Sequence, residues 1–300
     1  MQAPEPIYRA QSDAIPLRPL SIGDILDGTF TTIRRNPRAT VGLAALLVTV
    51  QQLLSLVVEL VTNGLPTFGS FEDQALSIQA IGGFGGIVGT LLAAVVGAVL
   101  TGMLVVVVSE DVLGRSVSAA DVWRRIRRRV GALVVAAAIA GILPYVGLIV
   151  LLVPGLILWA AWALTTPALV LEGIGPFAAL GRSWRLAWPS LIRVWWVRTL
   201  SVLIGFLMNF LIAVPFEIAG AIVVFATGAD DDDQPVVTVV VLALTVIGGI
   251  VAGMITAPFL AGVLALLYID RRMRAEGLDL VLRRQERMVA ARRPAPGGAP

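Results

Sequence analysis

The stretch of sequence that decides the fold covers residues 130–171 and reads VGALVVAAAIAGILPYVGLIVLLVPGLILWAAWALTTPALVL. These 42 residues lie between Arg129 and Glu172 and contain no charged side chain. One membrane crossing needs about 20 apolar residues and rarely uses more than about 25. The stretch is therefore long enough to cross a bilayer twice.

Arginines at both ends of this stretch predict that it forms a helical hairpin. The flanking arginines are Arg124, Arg125, Arg127, Arg128 and Arg129 on one side, and Arg182 and Arg185 on the other. Because arginine concentrates on the cytoplasmic side of membrane proteins, both ends are expected there. Breaks that let the chain reverse near the outer surface are supplied by Pro144, Gly147, Pro154 and Gly155. We therefore predict crossings over residues 131–149 and 153–171.

The composition of the whole chain is that of a multi-pass membrane protein. Hydrophobic residues make up 57% of the 300 residues, charged residues make up 14%, and the mean hydropathy is +0.88. All 23 basic residues are arginine, and lysine, histidine and cysteine are absent. This excludes disulfides, thiolate nucleophiles, lysine Schiff bases and metal sites that need cysteine or histidine. We expect no cofactor, and the use of arginine alone is typical of GC-rich bacterial genomes.

Four further apolar segments complete a predicted all-α bundle of six transmembrane helices. They cover residues 40–61, 81–109, 199–227 and 235–269. The two predicted outer loops carry only acidic charges, Glu72 and Asp73 in the first and Asp230 to Asp233 in the second. All arginines then lie on one side, which predicts a bacterial cytoplasmic-membrane protein with both termini in the cytoplasm.

Three amphipathic helices are predicted to lie at the cytoplasmic membrane surface. They cover residues 21–36, 118–130 and 172–189. Ser21 and Asp24 have the spacing of a capping box at the start of the first helix, and Pro37 ends it. Trp184 and Trp188 anchor the third helix at the interface.

The ends of the chain are predicted to lie outside the membrane domain. Residues 1–19 are polar and rich in proline, and we expect a flexible cytoplasmic segment. Residues 20–291 form one membrane domain, whose last part, residues 271–291, is a basic cytoplasmic helix. Residues 292–300 are expected to be disordered.

The two halves of the chain share a pattern of one interfacial helix followed by two crossings. Ile22, Gly23 and Pro37 align without gaps on Ile174, Gly175 and Pro189. Small residues recur every four positions in both halves, at Gly85, Gly89, Ala93, Gly97 and Thr101 and again at Gly249, Gly253, Ala257, Ala261 and Ala265. We therefore predict a parallel internal repeat around the central hairpin, with the two small-residue stripes packed against each other.

Two groups of polar residues are predicted to lie within the membrane. Gln51, Ser55 and Glu59 recur every four residues on one face of the first crossing, while Asn209 and Glu217 flank a proline in the fifth. One interpretation is a pathway for a substrate or a proton, with Glu217 as the best candidate because it is predicted to lie deeper than Glu59. The other, which we favour, is hydrogen bonding between helices.

The arginines beside the hairpin are candidates for binding lipid headgroups. They are Arg124, Arg125, Arg127, Arg128, Arg129, Arg182 and Arg185. A guanidinium group can grip a phosphate through two hydrogen bonds, and the cationic layer favours anionic phospholipids. Nucleic acid is excluded as a partner because the apolar side of the same helix leads directly into a crossing. A membrane-protein partner or a second copy of the chain stays open.

Several short motifs resemble a known bacterial family. They are Arg18-Pro19-Leu20, Gly23-Asp24-Ile25-Leu26-Asp27 with Phe30, Pro154-Gly155, Pro167-Ala168, Glu172-Gly173 and Arg182-Ser183-Trp184-Arg185-Leu186. Over residues 18–270 the chain is similar to the glycerophosphoryl diester phosphodiesterase membrane domain. Members that give the family its name join this domain to a catalytic barrel that uses histidines and a metal-binding acidic cluster. This sequence has no histidine, so the resemblance implies the membrane portion alone.

Two classes of function follow, with an enzyme as a distant third. The first is a non-catalytic membrane protein that binds phospholipid headgroups or supports a membrane partner. The second is a transporter or lipid translocator that uses Glu217. A membrane-embedded hydrolase would have only Asp, Glu, Ser, Thr or Tyr for its nucleophile and base, and no spacing selects such a set.

Overall fold

A computed structural model describes residues 20–35, 37–63, 84–112, 119–228 and 235–276. Within these ranges the chain is almost entirely helical and contains no strand, so the predicted all-α fold is confirmed there. The predictions for residues 1–19, for the acidic outer loops and for the chain beyond Glu276 lie outside the described residues.

Ten α-helices and two short 3₁₀ turns make up the described chain. The helices are α1 (Ile22–Arg35), α2 (Pro37–Asn63), α3 (Phe84–Val112), α4 (Ala119–Ile126), α5 (Val130–Val150), α6 (Leu152–Ala161), α7 (Thr165–Glu172), α8 (Pro176–Ala187), α9 (Leu191–Thr227) and α10 (Pro235–Glu276). The 3₁₀ turns cover Arg127–Arg129 and Trp188–Ser190.

Four helical stretches among the described residues are long and apolar enough to cross a membrane. They are Thr40–Val58, Leu152–Glu172, Pro176–Thr227 and Pro235–Ala275. The outer surface of α9 carries large exposed apolar side chains, such as Leu203, Phe206 and Phe210. Exposed apolar surface of this extent marks a face that meets lipid or another protein. The chain therefore has the character of a multi-pass membrane protein.

The last helix, α10, lies at the centre of the bundle. It packs against α1, α2, α3 and α9, and its buried side chains include Phe259, Leu266 and Tyr268. It runs antiparallel to α9 along most of its length, with Gly205 against Leu260 near one end and Gly248 against Phe216 farther along. Small residues thus let α9 and α10 approach closely.

The small-residue stripe of α10 packs against α2. An added Cβ atom at Gly253 would lie 2.6 Å from Cγ1 of Val48, and one at Gly249 would clash with Gln52. Helices α3 and α10 do pack together, but Gly97 of the α3 stripe has nothing within 4 Å of an added Cβ atom. The sequence prediction that the two stripes face each other is therefore wrong for these glycines.

The central hairpin turns sharply between α5 and α6. Only Leu151 separates the two helices, and its N–H donates a hydrogen bond to the carbonyl oxygen of Gly147 at 2.8 Å. An added Cβ atom at Gly147 would lie 2.9 Å from Cα of Gly155. Glycine at this position is what lets the two backbones meet.

The returning arm of the hairpin is broken rather than continuous. The sequence predicts one helix over residues 153–171, whereas α6 ends at Ala161 and α7 begins at Thr165. Ser183 of α8 satisfies the backbone at the break, because its hydroxyl donates to the Ala161 carbonyl at 2.6 Å and accepts from the Leu164 N–H at 3.1 Å. A buried polar partner of this kind offsets the lost helical hydrogen bonds.

The predicted surface helices correspond to α1, α4 and α8. The capping box at α1 is confirmed, since Ser21 N–H donates to Asp24 at 2.8 Å and Asp24 N–H donates to the Ser21 hydroxyl at 3.1 Å. Helix α8 begins later than predicted, at Pro176, because Gly173 ends α7 with a left-handed φ of 70°. At the other end of the chain, α10 continues without a break through Asp270 to Glu276.

Candidate functional site at the arginine-rich face

One end of the bundle collects most of the described arginines, and we call it the arginine-rich face. Its members are Arg124, Arg125, Arg127, Arg128, Arg129, Arg182, Arg185, Arg193, Arg271, Arg272 and Arg274. Some of these side chains bind acidic groups and carbonyl oxygens within the protein. Others are exposed on the surface, where they are accessible to a ligand.

The first internal ion network is centred on Glu172 at the end of α7. Arg182 of α8 donates to its carboxylate from Nη2 at 2.8 Å and from Nε at 2.9 Å and 3.0 Å. The hydroxyl of Tyr268 also donates to it, and Arg272 lies 3.8 Å away. The Arg182 side chain is only 19% exposed and binds α8 to α7, while Tyr268 and Arg272 bind α10 to the same carboxylate.

The second internal network is centred on Asp270, which is 0% exposed. Its carboxylate accepts from the N–H of Leu20 at 2.9 Å and from Nε of Arg274 at 2.9 Å and 3.1 Å, and Arg193 lies 3.5 Å away. Both arginines also donate to the carbonyl oxygen of Leu20. Asp270 therefore joins the start of α1, the start of α9 and the end of α10.

Two more arginines bind backbone carbonyl oxygens. Arg271 is buried, and its Nε donates to the carbonyl oxygen of Leu186 at 2.9 Å. Arg198 donates to the carbonyl oxygen of Trp159, and its guanidinium carbon lies 4.3 Å from the centre of the Trp159 ring. These contacts hold α8 to α10 and α6 to α9.

The arginines of α4 and the following 3₁₀ turn form the exposed part of the face. Arg124 pairs with Asp121 and Arg125 pairs with Glu110 at 2.6 Å, yet both arginines remain more than half exposed. Arg127 and Arg128 are also exposed. Val122 and Ile126 on the other side of α4 are buried in the core, so the helix is held with its cationic side outward.

The remaining headgroup candidates occupy different surroundings. Arg185 is exposed on α8. Arg129 lies against Gly173, where an added Cβ atom would be 2.7 Å from its Nη2. Because Gly173 has a left-handed φ, both the conformation and the contact favour glycine at that position.

The predicted intramembrane polar residues that the structure describes are not brought together into one site. Gln51 and Ser55 are half-buried on α2, and the side chain of Glu59 lies outside the described residues. Asn209 and Glu217 are exposed on the outer surface of α9. Along α9, Glu217 lies about 28 Å beyond Arg198, which is close to the thickness of a hydrocarbon core.

The sequence analysis did not identify Tyr268 and Asp270, which bind within the two internal networks. Asp270 directly follows a long apolar segment and precedes two arginines, which is a signal for an ion pair but does not identify the partner. Among the described residues, no group of three or more acidic side chains lies where it could hold a metal ion.

Comparison of the chain with protein-family models, with curated proteins and with solved structures finds no match. The chemistry of the residues themselves is therefore the basis on which function can be argued.

Proposed function

We propose that this chain is a non-catalytic multi-pass membrane protein whose arginine-rich face binds the phosphates of anionic phospholipids. The observation that carries the proposal is the exposed cluster of Arg124, Arg125, Arg127 and Arg128 on a helix anchored in the core. Beside this cluster lies the exposed side chain of Trp123, which is suited to the level of the headgroups.

The chemistry of this cluster suits a phosphate ligand. Guanidinium groups are always charged and offer paired N–H donors that match phosphate oxygens. Each basic residue near an anionic surface contributes about 1 kcal/mol to binding. In the internal networks, the carboxylates Glu172 and Asp270 bind Arg182, Arg193 and Arg274. Within the cluster, Arg124 and Arg125 pair with Asp121 and Glu110 but stay more than half exposed.

The proposal includes the topology expected from the sequence, with both termini on the arginine-rich side. The predicted parallel repeat is supported by the order of elements, since α1, α2 and α3 correspond to α8, α9 and α10. The six predicted crossings include two for the hairpin. Headgroup binding does not depend on the number of crossings, because both ends of the hairpin lie on the same side of the membrane whether or not the hairpin crosses it.

We also propose membership of the glycerophosphoryl diester phosphodiesterase membrane domain family. Its support is the motif resemblance together with the roles that motif residues take in the fold. Asp24 caps α1, Glu172 binds Arg182, and Ser183 bridges the break before α7.

The test compares two pairs of exposed arginines. The double variant Arg127→Gln/Arg128→Gln removes two charges from the cluster, while Arg34→Gln/Arg35→Gln removes two exposed charges from α1. At about 1 kcal/mol each, the first variant should weaken binding to anionic lipid roughly 30-fold. Binding is measured by titrating detergent-solubilised protein with phosphatidylglycerol and with phosphatidylcholine, and by mass spectrometry of the retained lipid.

Several outcomes would overturn the proposal. Equal loss of anionic lipid in both variants would show that the cluster has no special role. Hydrolysis of phosphodiesters by pure protein would favour an enzyme. Movement of lipid or solute across liposomes that Glu217→Gln abolishes without unfolding would favour the transporter.

A further inference from the structure

The two ends of the uncharged stretch meet where Arg129 lies against Gly173. Arg129 directly precedes the stretch, and Gly173 comes one residue after Glu172, the acid that ends it. An added Cβ atom at Gly173 would lie 2.7 Å from Nη2 of Arg129, 3.1 Å from Cζ and 3.2 Å from Nη1. The guanidinium group of Arg129 therefore occupies the space that a side chain at position 173 would need.

Arg129 differs from the other arginines that are at least partly buried in the described part of the chain. Each of the others binds a carboxylate or a carbonyl oxygen of the protein, and they are Arg182, Arg193, Arg198, Arg271 and Arg272. Arg129 is half-buried, yet its guanidinium group donates to no residue that the structure describes. Its N–H groups are left for an acceptor from outside these residues.

The nearest acid along the chain does not compensate the charge of Arg129. Glu172 directly precedes Gly173, but its carboxylate accepts from Arg182 at 2.8 Å and from the hydroxyl of Tyr268. A partly buried cation loses some of its hydration, and this loss is unfavourable when no acceptor replaces the water. An anion that presents two oxygens to the guanidinium group would offset it.

The place of Arg129 in the chain selects a phosphate group as that anion. Both arms of the uncharged stretch end at the contact with Gly173, so this contact lies where the chain leaves the apolar part of the membrane. The polar headgroup layer, which contains the lipid phosphates, begins at the same level. A guanidinium group matches two phosphate oxygens through parallel N–H groups.

We propose that Arg129, held against Gly173, binds one phosphate group through two hydrogen bonds. This inference rests on the proposed function, because it names the residue of the arginine-rich face that recognises the phosphate itself. The exposed Arg127 and Arg128 attract an anion by charge, whereas Arg129 binds it by the geometry of its N–H groups. Gly173 has a left-handed φ of 70°, so a side chain there would be strained as well as displace the guanidinium group.

The variant Arg129→Lys tests the inference because it keeps the positive charge and removes the paired N–H groups. Loss of one charge-assisted hydrogen bond should weaken the binding of phosphatidylglycerol to the detergent-solubilised protein about tenfold. The matched control is Arg34→Lys on α1, which should bind the lipid as the parent protein does. If Arg129→Lys also binds the lipid as the parent does, the acceptor of Arg129 is water and the inference is overturned.

A second pair of variants moves Arg129 without replacing it. Gly173→Ala places a methyl group where the guanidinium group lies, while Gly175→Ala adds a methyl group with nothing within 4 Å. Gly173→Ala should weaken lipid binding, and Gly175→Ala should not. Parent-like lipid affinity in a folded Gly173→Ala protein would overturn the inference. The Tm of each variant is measured beside its affinity, and Arg129→Lys decides the question if Gly173→Ala unfolds.

The result can be separated from the test of the proposed function. If Arg127→Gln/Arg128→Gln weakens lipid binding and Arg129→Lys does not, this inference fails and the proposed function stands. If only Arg129→Lys weakens binding, this inference stands and the role of the exposed pair fails.

A competition experiment identifies the source of the phosphate. Sodium phosphate is added to the complex of the protein with phosphatidylglycerol. Retention of the lipid identifies a lipid phosphate at Arg129, and displacement that depends on Arg129 identifies free phosphate as a ligand of the same site. Lipid binding and displacement that are both unchanged in Arg129→Lys would overturn the inference.

Discussion

Replacement of the buried carboxylate by an amide, Asp270→Asn, should destabilise the bundle more than any exposed acid would. The substitution keeps the shape of the side chain but leaves Arg193 and Arg274 without their counter-charge. Removing one partner of a buried ion pair costs about 3–5 kcal/mol. Here the two arginine side chains are 28% and 32% exposed and also bind the Leu20 carbonyl, so water offsets part of the loss. We expect about 2–3 kcal/mol.

This loss should be visible as a lower melting temperature. At roughly 2–4 °C per kcal/mol for a chain of this size class, the Tm in detergent should fall by about 4–12 °C. The intrinsic fluorescence of the seven tryptophans provides the signal. Because the amide has one acceptor oxygen where the carboxylate has two, the Leu20 N–H must share it with Arg274, and the start of α1 should also become more sensitive to limited proteolysis.

The matched control is Asp121→Asn on α4. Asp121 also pairs with an arginine, but the two side chains are 46% and 69% exposed. Exposed pairs contribute about 0–1 kcal/mol, so Tm should change by no more than about 4 °C. Equal changes in the two variants would refute the conclusion that burial makes the Asp270 network the stronger of the two.

Two glycine substitutions test the close helix contacts, each by thermal unfolding. Gly147→Ala should lower stability by about 1–3 kcal/mol because its new methyl group meets the backbone of Gly155, while Gly141→Ala in the same helix has open space and should not. Gly253→Leu should lower stability by a similar amount, about 1–3 kcal/mol, because Val48 of α2 already occupies the space. A parent-like Tm for Gly147→Ala or Gly253→Leu would show that the corresponding contact is absent.

Several features of this protein were predictable from the sequence because they depend on near neighbours along the chain. The capping box at Ser21 and Asp24 joins residues three apart, and Pro37 separates α1 from α2 through its own ring. The uncharged stretch before Glu172 predicts a hairpin because that prediction depends only on the length of the stretch and on its lack of charge. The exposed arginines of α4 follow from helical spacing against buried Val122 and Ile126.

Only the tertiary structure decided which arginines are used inside the protein and which faces of the helices meet. Arg182 reads as a surface residue in sequence, yet it is bound to Glu172, and Asp270 binds Leu20 across 250 residues of chain. The tertiary structure also decided that the small-residue stripe of α10 packs against α2 and not against α3 at Gly253. In a membrane, lipid chains are as apolar as the helices, so hydrophobicity does not distinguish a face that meets protein from one that meets lipid. Packing and hydrogen bonds between distant segments make that choice.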